Sequence, residues 1–456
     1  LSTYCSSMIR EETVKLIQKY GGAVPRYTSY PTAVELHAGF MEADAISQLE
    51  NLDEKEAVSV YVHIPFCHSL CHYCGCHTKI VSHTEVISTY VDMLCNEIRI
   101  AASHVTAKIK ISRIHFGGGS PNYAPVSDIE KILNTLRACF FVDDRMRVDM
   151  ECDPRLLTEE KITALSRIGI GRVSLGVQDF DENVQKAVHR IQPLEHVQDQ
   201  VKFLRRVGIN DINFDLIVGL PVQTFDSVRK TVMETIKIRP SRIAVFAYAH
   251  VPWMKKHQKL LEQYRFPTPQ ERFMMQEDVN TALCQAGYIP IGIDHYALPE
   301  SSLLQAQSLG TMRRNFQGYT DDVATTILGF GLSAISQFKN AYTQNSLDAP
   351  SYRKAIDAGR LPVAKGYVMT PIDIETGWAI MQLMCYSQLD ISKCPGVPIA
   401  HEKLEELERD GIIRTNGSII VITQMGKPFT RVVASCFDPY FQAENYKKEG
   451  RHAQAI

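Results

Sequence analysis

A chain of 456 residues is long enough for two or three domains of ordinary size. Hydrophobic residues at 45% and charged residues at 22% exclude a disordered, collagen-like or disulfide-stapled chain. With 49 Lys and Arg against 51 Asp and Glu, it lacks the surplus by which a nucleic-acid binder neutralises phosphates, leaving only local basic pockets.

Residues 1–10 lack a basic stretch followed by an apolar core, so no secretory signal is expected. No apolar run approaches the ~18 residues of a membrane span. The chain is therefore expected to be cytoplasmic, with its thiols reduced. Residues 1–55 carry Pro25-Arg26-Tyr27-Thr28-Ser29-Tyr30-Pro31-Thr32, too aromatic for a loose tail and too proline-rich for a helix. This segment reads as an ordered N-terminal arm lying against a barrel.

From about residue 57, apolar β-rich runs alternate with helical patterns. Strands are expected at Val58–Phe66, Ile111–Phe116, Val148–Cys152, Arg172–Gly176, Ile212–Ile217 and Ile243–Tyr248, with a later run at Tyr288–Ile293. They read as apolar runs without polar alternation, the pattern of a parallel sheet buried on both faces. Between them, Ile87, Tyr90, Val91, Leu94 and Ile98 share one helical face. Ile129, Ile132, Leu133, Leu136 and Phe140 share another, which Ser127 and Glu130 are expected to open as a capping box. A third helix carries Phe225, Val228, Val232 and Ile236 and stops before Pro240. Repeated strand–helix units of this kind make right-handed crossovers. The expected fold is α/β, a closed or partly closed parallel barrel over residues 56–365, with its working site at the carboxyl ends of the strands.

Residues 366–456 read differently. A charged helix over His401–Asp410 ends at Gly411, and two β-runs follow, joined through Asn416-Gly417 as a hairpin with both central residues at positive φ. With a further helical stretch at Phe429–Cys436, this makes a mostly helical, winged-helix-like C-terminal domain. The neutral charge balance favours a lid or packing role over DNA binding.

Of the 12 cysteines, eight are scattered (Cys5, Cys95, Cys139, Cys152, Cys284, Cys385, Cys394, Cys436), the usual pattern of small buried hydrophobes. The other four crowd into Cys67-His68-Ser69-Leu70-Cys71-His72-Tyr73-Cys74-Gly75-Cys76, just past the first strand. Three thiolates spaced C-x3-C-x2-C can hold three irons of a cubane and leave the fourth open, as a catalytic metal requires. A zinc site is the alternative, because His63, His68, His72 and His77 interleave with the thiols. Zinc motifs prefer two separated ligand pairs, and here only Cys71 and Cys74 have that spacing.

Polar residues recur at the same end of later strands. Gly117-Gly118-Gly119-Ser120 follows the second strand, where bare backbone either lets a ligand approach or simply turns tightly. Glu151 ends the third, Gln178 and Asp179 close the fourth, and Asp215 stands at the end of the fifth.

C-x3-C-x2-C after the first strand of a βα barrel resembles the radical S-adenosylmethionine (SAM) superfamily. Five segments narrow the resemblance: residues 25–32, Tyr61–Cys67 with Cys74–Cys76, Gly176–Phe180, Asp215–Pro221 and Arg314–Thr320. Together they resemble the oxygen-independent coproporphyrinogen III oxidase family, over nearly the whole chain.

The resemblance implies a partial (β/α)6 barrel and one 4Fe-4S cluster on Cys67, Cys71 and Cys74. It implies two SAM molecules, one near Tyr61, Gly118 and Glu151. The other would lie near Tyr73, Gly119, Ser120, Gln178, Arg190, Asp215, Ala249 and Ile335. Cys76 matches an additional family cysteine that is not a cluster ligand and is expected to be catalytic. Ser120 stands where threonine is usual, Tyr73 where phenylalanine is usual, and Cys152 where a β-branched residue often follows the glutamate. The implied reaction is oxidative decarboxylation of two propionates of coproporphyrinogen III to vinyl groups by a 5′-deoxyadenosyl radical. Implied partners are that substrate and a low-potential electron donor of flavodoxin or ferredoxin type, with no nucleic acid and a monomeric state.

Arg26, Arg313, Arg314 and His295 are candidate carboxylate anchors, each equally compatible with an ordinary surface or helix-end role. A haem-carrying relative would lack the arm and Cys76, both present here; a haem-modifying radical enzyme on the same scaffold remains a further alternative.

Overall fold

The computed structural model describes residues 14–442, apart from the side chains of residues 143–145; Cys5 and residues 1–10 lie outside the described part. Strand and helix alternate from residue 57 as β1 (Ala57–Ile64), α1 (Glu85–Ser103), β2 (Lys110–Gly118), α2 (Val126–Cys139), β3 (Phe141–Cys152) and α3 (Glu159–Arg167). They continue as β4 (Ile170–Gln178), α4 (Leu194–Arg206), β5 (Asp211–Val218), α5 (Phe225–Ile238), β6 (Arg242–Ala247) and α6 (Pro269–Gln285). Six further strands follow: β7 (Ile289–Ile291), β8 (His295–Ala297), β9 (Thr326–Phe330), β10 (Ile335–Gln337), β11 (Ala341–Asn345) and β12 (Val363–Val368).

All twelve join one open sheet in the order β12-β11-β10-β9-β1-β2-β3-β4-β5-β6-β8-β7. The strands from β9 through β6 in that order run parallel, so the barrel is partial and a seventh parallel strand, β9, flanks β1. The sequence reading omitted the fully buried run Thr326–Phe330, and with it β8, β10, β11 and β12.

The strands do alternate, contrary to expectation. Val58, Val60, Val62, Ile114, Phe116, Val148, Met150, Val173, Leu175, Ile212 and Phe214 face outward into one apolar core with Ile87, Leu94, Ile132 and Leu136 of the helices. Their neighbours face inward and are polar. At the amino-terminal end of the barrel, Arg113 bonds Asp321 at 2.8 Å, Arg172 reaches Asp149 at 3.3 Å, and Arg242 lies 3.4 Å from both Asp211 and Asp321. These pairs fill the barrel floor, where each cation has a carboxylate partner, as burial of charge demands.

Two local expectations also change. Helix α2 begins at Val126 behind Pro125, with no side-chain cap, so Ser127 lies inside the first turn and no capping box forms. Pro125 has already fixed the entry dihedral and holds no amide to satisfy. The C-terminal module comprises α7 (Pro371–Tyr386), β13 (Gln388–Asp390), α8 (His401–Arg409) and the hairpin β14 (Ile413–Asn416)–β15 (Ile419–Ile422). Asn416 pairs with Ile419, so the hairpin loop is Gly417-Ser418, one residue later than expected. Only Gly417 has positive φ, the pattern of a turn with glycine first. The expected seam at 365/366 falls inside β12, which pairs with β11 in the main sheet.

From residue 14 onward the arm is ordered, but its aromatic part packs on the C-terminal module rather than on the barrel. Leu16, Ile17, Tyr20, Val24, Tyr27 and Tyr30 share a core with Leu383, Leu407, Phe429 and Phe437. The hydroxyls of Tyr27 and Tyr30 donate to Asp438 at 3.0 and 3.2 Å, which explains why these buried rings are tyrosines.

Glu97 of α1 locks the loop after β9. Its carboxylate accepts from the Gly331 amide at 2.8 Å, Asn345 Nδ2 at 2.6 Å and the Tyr352 hydroxyl at 2.5 Å. Burial pushes its carboxyl from 4.5 up to about 7, against those three bonds. A proton kept by the folded chain and released by the unfolded one stabilises the fold at low pH, by about 3 kcal/mol, and that contribution is lost as pH rises through 7. Thermal melts should therefore show the native Tm falling between pH 5 and 8 more steeply than that of Glu97→Gln; parallel slopes would remove Glu97 as the cause.

Candidate active site

The cysteine loop leaves β1 at Ile64 and returns at Lys79. Phe66–Cys67 pairs in parallel with Lys79–Ile80, so both ends of the excursion are tied together. Cys67 and Cys74 are half-buried, Cys71 is buried, and Cys76 is exposed. The far edge of the loop is held by three side chains after β6. Gln258 donates to the Tyr73 carbonyl at 2.9 Å, His257 bonds the Cys74 carbonyl at 2.8 Å, and Lys255 donates to the Cys76 carbonyl at 2.8 Å.

Donors point at the Cys67 and Cys71 sulfurs. Ser120 Oγ lies 3.5 Å from Cys67 Sγ, and Arg190 Nη1 and Arg155 Nη2 lie 3.5 and 3.7 Å from Cys71 Sγ. Hydrogen bonds to sulfur tune the charge and potential of a thiolate-held iron cluster. Among the described residues, no three His, Cys, Asp or Glu side chains converge tightly enough to hold a single metal ion. The interleaved histidines are turned elsewhere: His72 stacks on His189 with ring centroids 5.0 Å apart, and His63 bonds the Tyr61 hydroxyl at 3.0 Å. The donor set fits a cluster with three thiolate corners better than a zinc knuckle.

The glycine turn after β2 is pressed against this loop. A Cβ on Gly119 would stand 2.8 Å from the Phe66 carbonyl oxygen and 2.9 Å from the Pro65 carbonyl carbon. Gly118 has φ +116° and packs under the His63 ring. Its amide donates to Glu151 at 3.1 Å. Glu151 also meets His115 Nε2 at 3.3 Å, and its side chain is 40% exposed, so one carboxylate face looks into the barrel mouth. Burial pushes the Glu151 carboxyl up, but His115 and the Gly118 amide outweigh it and hold it below the usual value. Tyr61 stacks on His115, centroids 5.9 Å apart.

Gln178 ends β4 with φ 68°, turning its side chain out of the strand. Arg190 is fixed by Gly176 O at 2.7 Å and Asp153 at 3.3 Å. Tyr73 packs against Val184, Leu220, Tyr248 and Leu261. Ala249 follows β6, and Ile335 on β10 lies against Gly329, the strand partner of Tyr61. Asp215 is mid-strand rather than at the end of β5, which continues to Val218. Its carboxylate accepts from Ser174 at 2.8 Å and Asn213 at 2.9 Å, and burial pushes its carboxyl up. Asp179 turns away from the mouth, where Gln223 at 2.6 Å and Thr231 at 2.8 Å bind it as a structural bracket.

Of the four candidate anchors, Arg26, Arg314 and His295 gather near Asp294, whereas Arg313 donates to the Val323 carbonyl at 3.0 Å and stands apart. Sequence reasoning missed His115, Asp153, Arg155, Gln258 and Arg431. Two signals existed: His115 alternates with Arg113 on the polar face of β2, and Arg431 interrupts an otherwise uncharged helix.

Residues 61–234 match the model of the radical SAM superfamily. The anaerobic coproporphyrinogen III oxidase 1 of Cereibacter sphaeroides is 37% identical, covering 97% of this chain and 99% of that protein. The oxygen-independent coproporphyrinogen III oxidase of Pseudomonas aeruginosa is 38% identical over 96% and 97%. The crystal structure of coproporphyrinogen III oxidase from Escherichia coli, a radical SAM enzyme, superposes with TM-score 0.86 at 32% identity, covering 94% of this chain and 98% of that one. The chain belongs to the oxygen-independent coproporphyrinogen III oxidase family. Membership of this radical SAM family implies a 4Fe-4S cluster and SAM, consistent with the donor set above. No helix among the described residues is long and apolar enough to cross a membrane.

The two nearest atoms facing a Gly119 Cβ are backbone and cannot swing aside, and the third is Cys67 Sγ at 3.0 Å. Gly119→Ala should lose most of the iron that the native chain retains after anaerobic reconstitution. Gly171→Ala, whose Cβ meets nothing within 4 Å, should keep it. Equal iron contents would show that the glycine turn does not set the loop.

Proposed function

We propose that this protein converts two propionate side chains of coproporphyrinogen III to vinyl groups, giving protoporphyrinogen IX in haem synthesis. The observation that carries the reading is the cysteine loop fixed at the mouth of a barrel beside Tyr61 of β1, Gly118, Glu151 and Gln178 at the ends of β2, β3 and β4, and Arg190 in the loop after β4. Cys67, Cys71 and Cys74 would hold the cluster. When bound, cluster and SAM supply a carbon-centred radical able to take a hydrogen atom from a propionate β-carbon.

The chain's own residues then bind and aim. Glu151, held ionised by His115 and the Gly118 amide, offers a carboxylate to an ammonium or ribose hydroxyl. Tyr61 and the bare backbone of Gly118 would flank the same SAM. A second SAM would lie toward Tyr73, Gly119, Ser120, Gln178, Arg190, Asp215, Ala249 and Ile335. Arg190 and Ser120 join the two regions, because each also donates toward a ligand sulfur. Cys76, exposed beside Cys74 and tied through its carbonyl to Lys255, can exchange a proton without leaving the loop. Each vinyl group requires loss of one hydrogen atom, one carbon dioxide and one further electron. Two such events per substrate need a low-potential donor, of flavodoxin or ferredoxin type, to start each cycle and an acceptor to finish it. A cytoplasmic monomer suits a soluble substrate and donor.

Protein reconstituted anaerobically with iron and sulfide, then given SAM, reductant and coproporphyrinogen III, should form protoporphyrinogen IX with two 5′-deoxyadenosines per product. Cys71→Ser should form neither. Stoichiometric haem binding without vinyl product would instead identify a haem carrier, and a methylated or opened ring would identify a haem-modifying enzyme.

A further inference from the structure

Arg26 of the arm, Arg314 of the hairpin Arg313–Asn315/Gly318–Thr320, and Arg431 of the helix Thr430–Ser435 come from three distant stretches of chain. Asp294 attracts all three electrostatically. Asp294 is already engaged by His295 Nδ1 at 2.5 Å, and the nearest Arg314 nitrogen is 3.8 Å away, beyond a hydrogen bond. Burial pushes the Asp294 carboxyl up, yet Arg314 and His295 prevail and hold it at about 2.

Arg314 is the informative member. Its side chain is 4% exposed, and its Nε and Nη1 have no hydrogen-bond partner. The guanidinium lies 4.5 Å from the Tyr319 ring centroid. Tyr319 is itself pinned, donating to the Met384 carbonyl at 2.8 Å and accepting from the Ile293 amide at 3.2 Å. Arg431 reaches the Val24 carbonyl at 3.3 Å, two residues before Arg26, and burial with its arginine neighbours lowers it to about 10. Arg26 is exposed and leaves the group open on one side. A buried guanidinium with unused donors is costly unless something anionic supplies acceptors.

The group opens on the site. The Asp294 carbonyl accepts from the Val245 amide near the carboxyl end of β6 at 2.7 Å, and His295 is an electrostatic neighbour of Asp215. We propose that Arg26, Arg314 and Arg431 form a receptor for propionate carboxylates of the tetrapyrrole, with the Asp294–His295 pair positioning Arg314. This rests on the substrate reading above and extends it: a tetracarboxylate with one propionate at the reacting centre must be held by the others. Planar forks suit that task better than point charges.

The test is equilibrium binding of coproporphyrin III, the stable oxidised tetracarboxylate, to the reconstituted protein, followed by fluorescence. Arg314→Ala should raise Kd at least tenfold and Arg26→Gln severalfold, with iron content and Tm retained. Arg314→Lys should recover only part of the loss, and the tetramethyl ester should bind the native protein no better than Arg314→Ala binds the acid. Should the buried variant fail to fold, exposed Arg26→Gln carries the test alone. Native Kd values in both variants, or tight binding of the ester, would overturn the receptor. Binding of coproporphyrin III without vinyl formation would instead overturn the reaction and leave the receptor standing.

Discussion

Two backbone bonds between neighbouring strand exits hold the centre of this molecule. The amides of Gly119 and Ser120 donate to the carbonyls of Ile64 at 2.8 Å and Phe66 at 2.9 Å, joining the turn after β2 to the start of the cysteine loop. On the other side, the amides of Lys79 and Val81 donate to Pro65 at 2.6 Å and Cys67 at 3.2 Å. Residues 64–67 are therefore clamped between a glycine turn and the returning chain. The start of the loop is set by main-chain bonds, while Lys255, His257 and Gln258 hold its far edge. Fixing the loop at both edges keeps the geometry of its thiols stiff, as a functional site requires. The absence of a Cβ at Gly119 permits the approach, so the glycine run is explained by packing on the loop.

Much of this was legible because strong local signals agreed with the global fold. The βα order, the helix faces around Ile87, Ile129 and Val228, and the crowded cysteines carried the fold class. The polar alternation inside the barrel was equally present in Val58-Ser59-Val60-Tyr61-Val62-His63, but a parallel strand was expected to be apolar on both faces. A partial barrel with a polar interior breaks that rule, since its inner face meets polar groups instead of a second apolar layer. Asp215 looked terminal only because strand length is poorly set by composition. The hairpin slipped by one residue because Asn416 and Gly417 satisfy either register locally, and pairing of Asn416 with Ile419 decides it.

Long-range assembly was the least legible part. Nothing local announces that Tyr27 and Tyr30 should find Asp438, more than four hundred residues away, or that Arg431 should come beside Arg26. Motif spacing identifies Arg26 and Arg314 as candidates but cannot separate Arg314 from its neighbour Arg313. On adjacent strand positions their side chains take opposite faces, and only one face looks toward Asp294.

The barrel interior consequently changes character along its axis. At its floor, buried arginines and aspartates neutralise one another and act as a polar filling that replaces the usual layers of apolar side chains. Midway, Tyr61 stacks on His115, which bonds Glu151, and that carboxylate is partly exposed. Near the mouth, the described residues set three arginines against Asp294, and these come from the arm, the hairpin and the C-terminal helix. A cluster of arginines drawn from three separate stretches exists only when the segment around residues 24–30 packs on the C-terminal module. The packing of Tyr27 and Tyr30 on Asp438 thus does more than bury aromatic surface, because it brings Arg26 toward Arg431. Docking of that segment and completion of the arginine cluster are the same event.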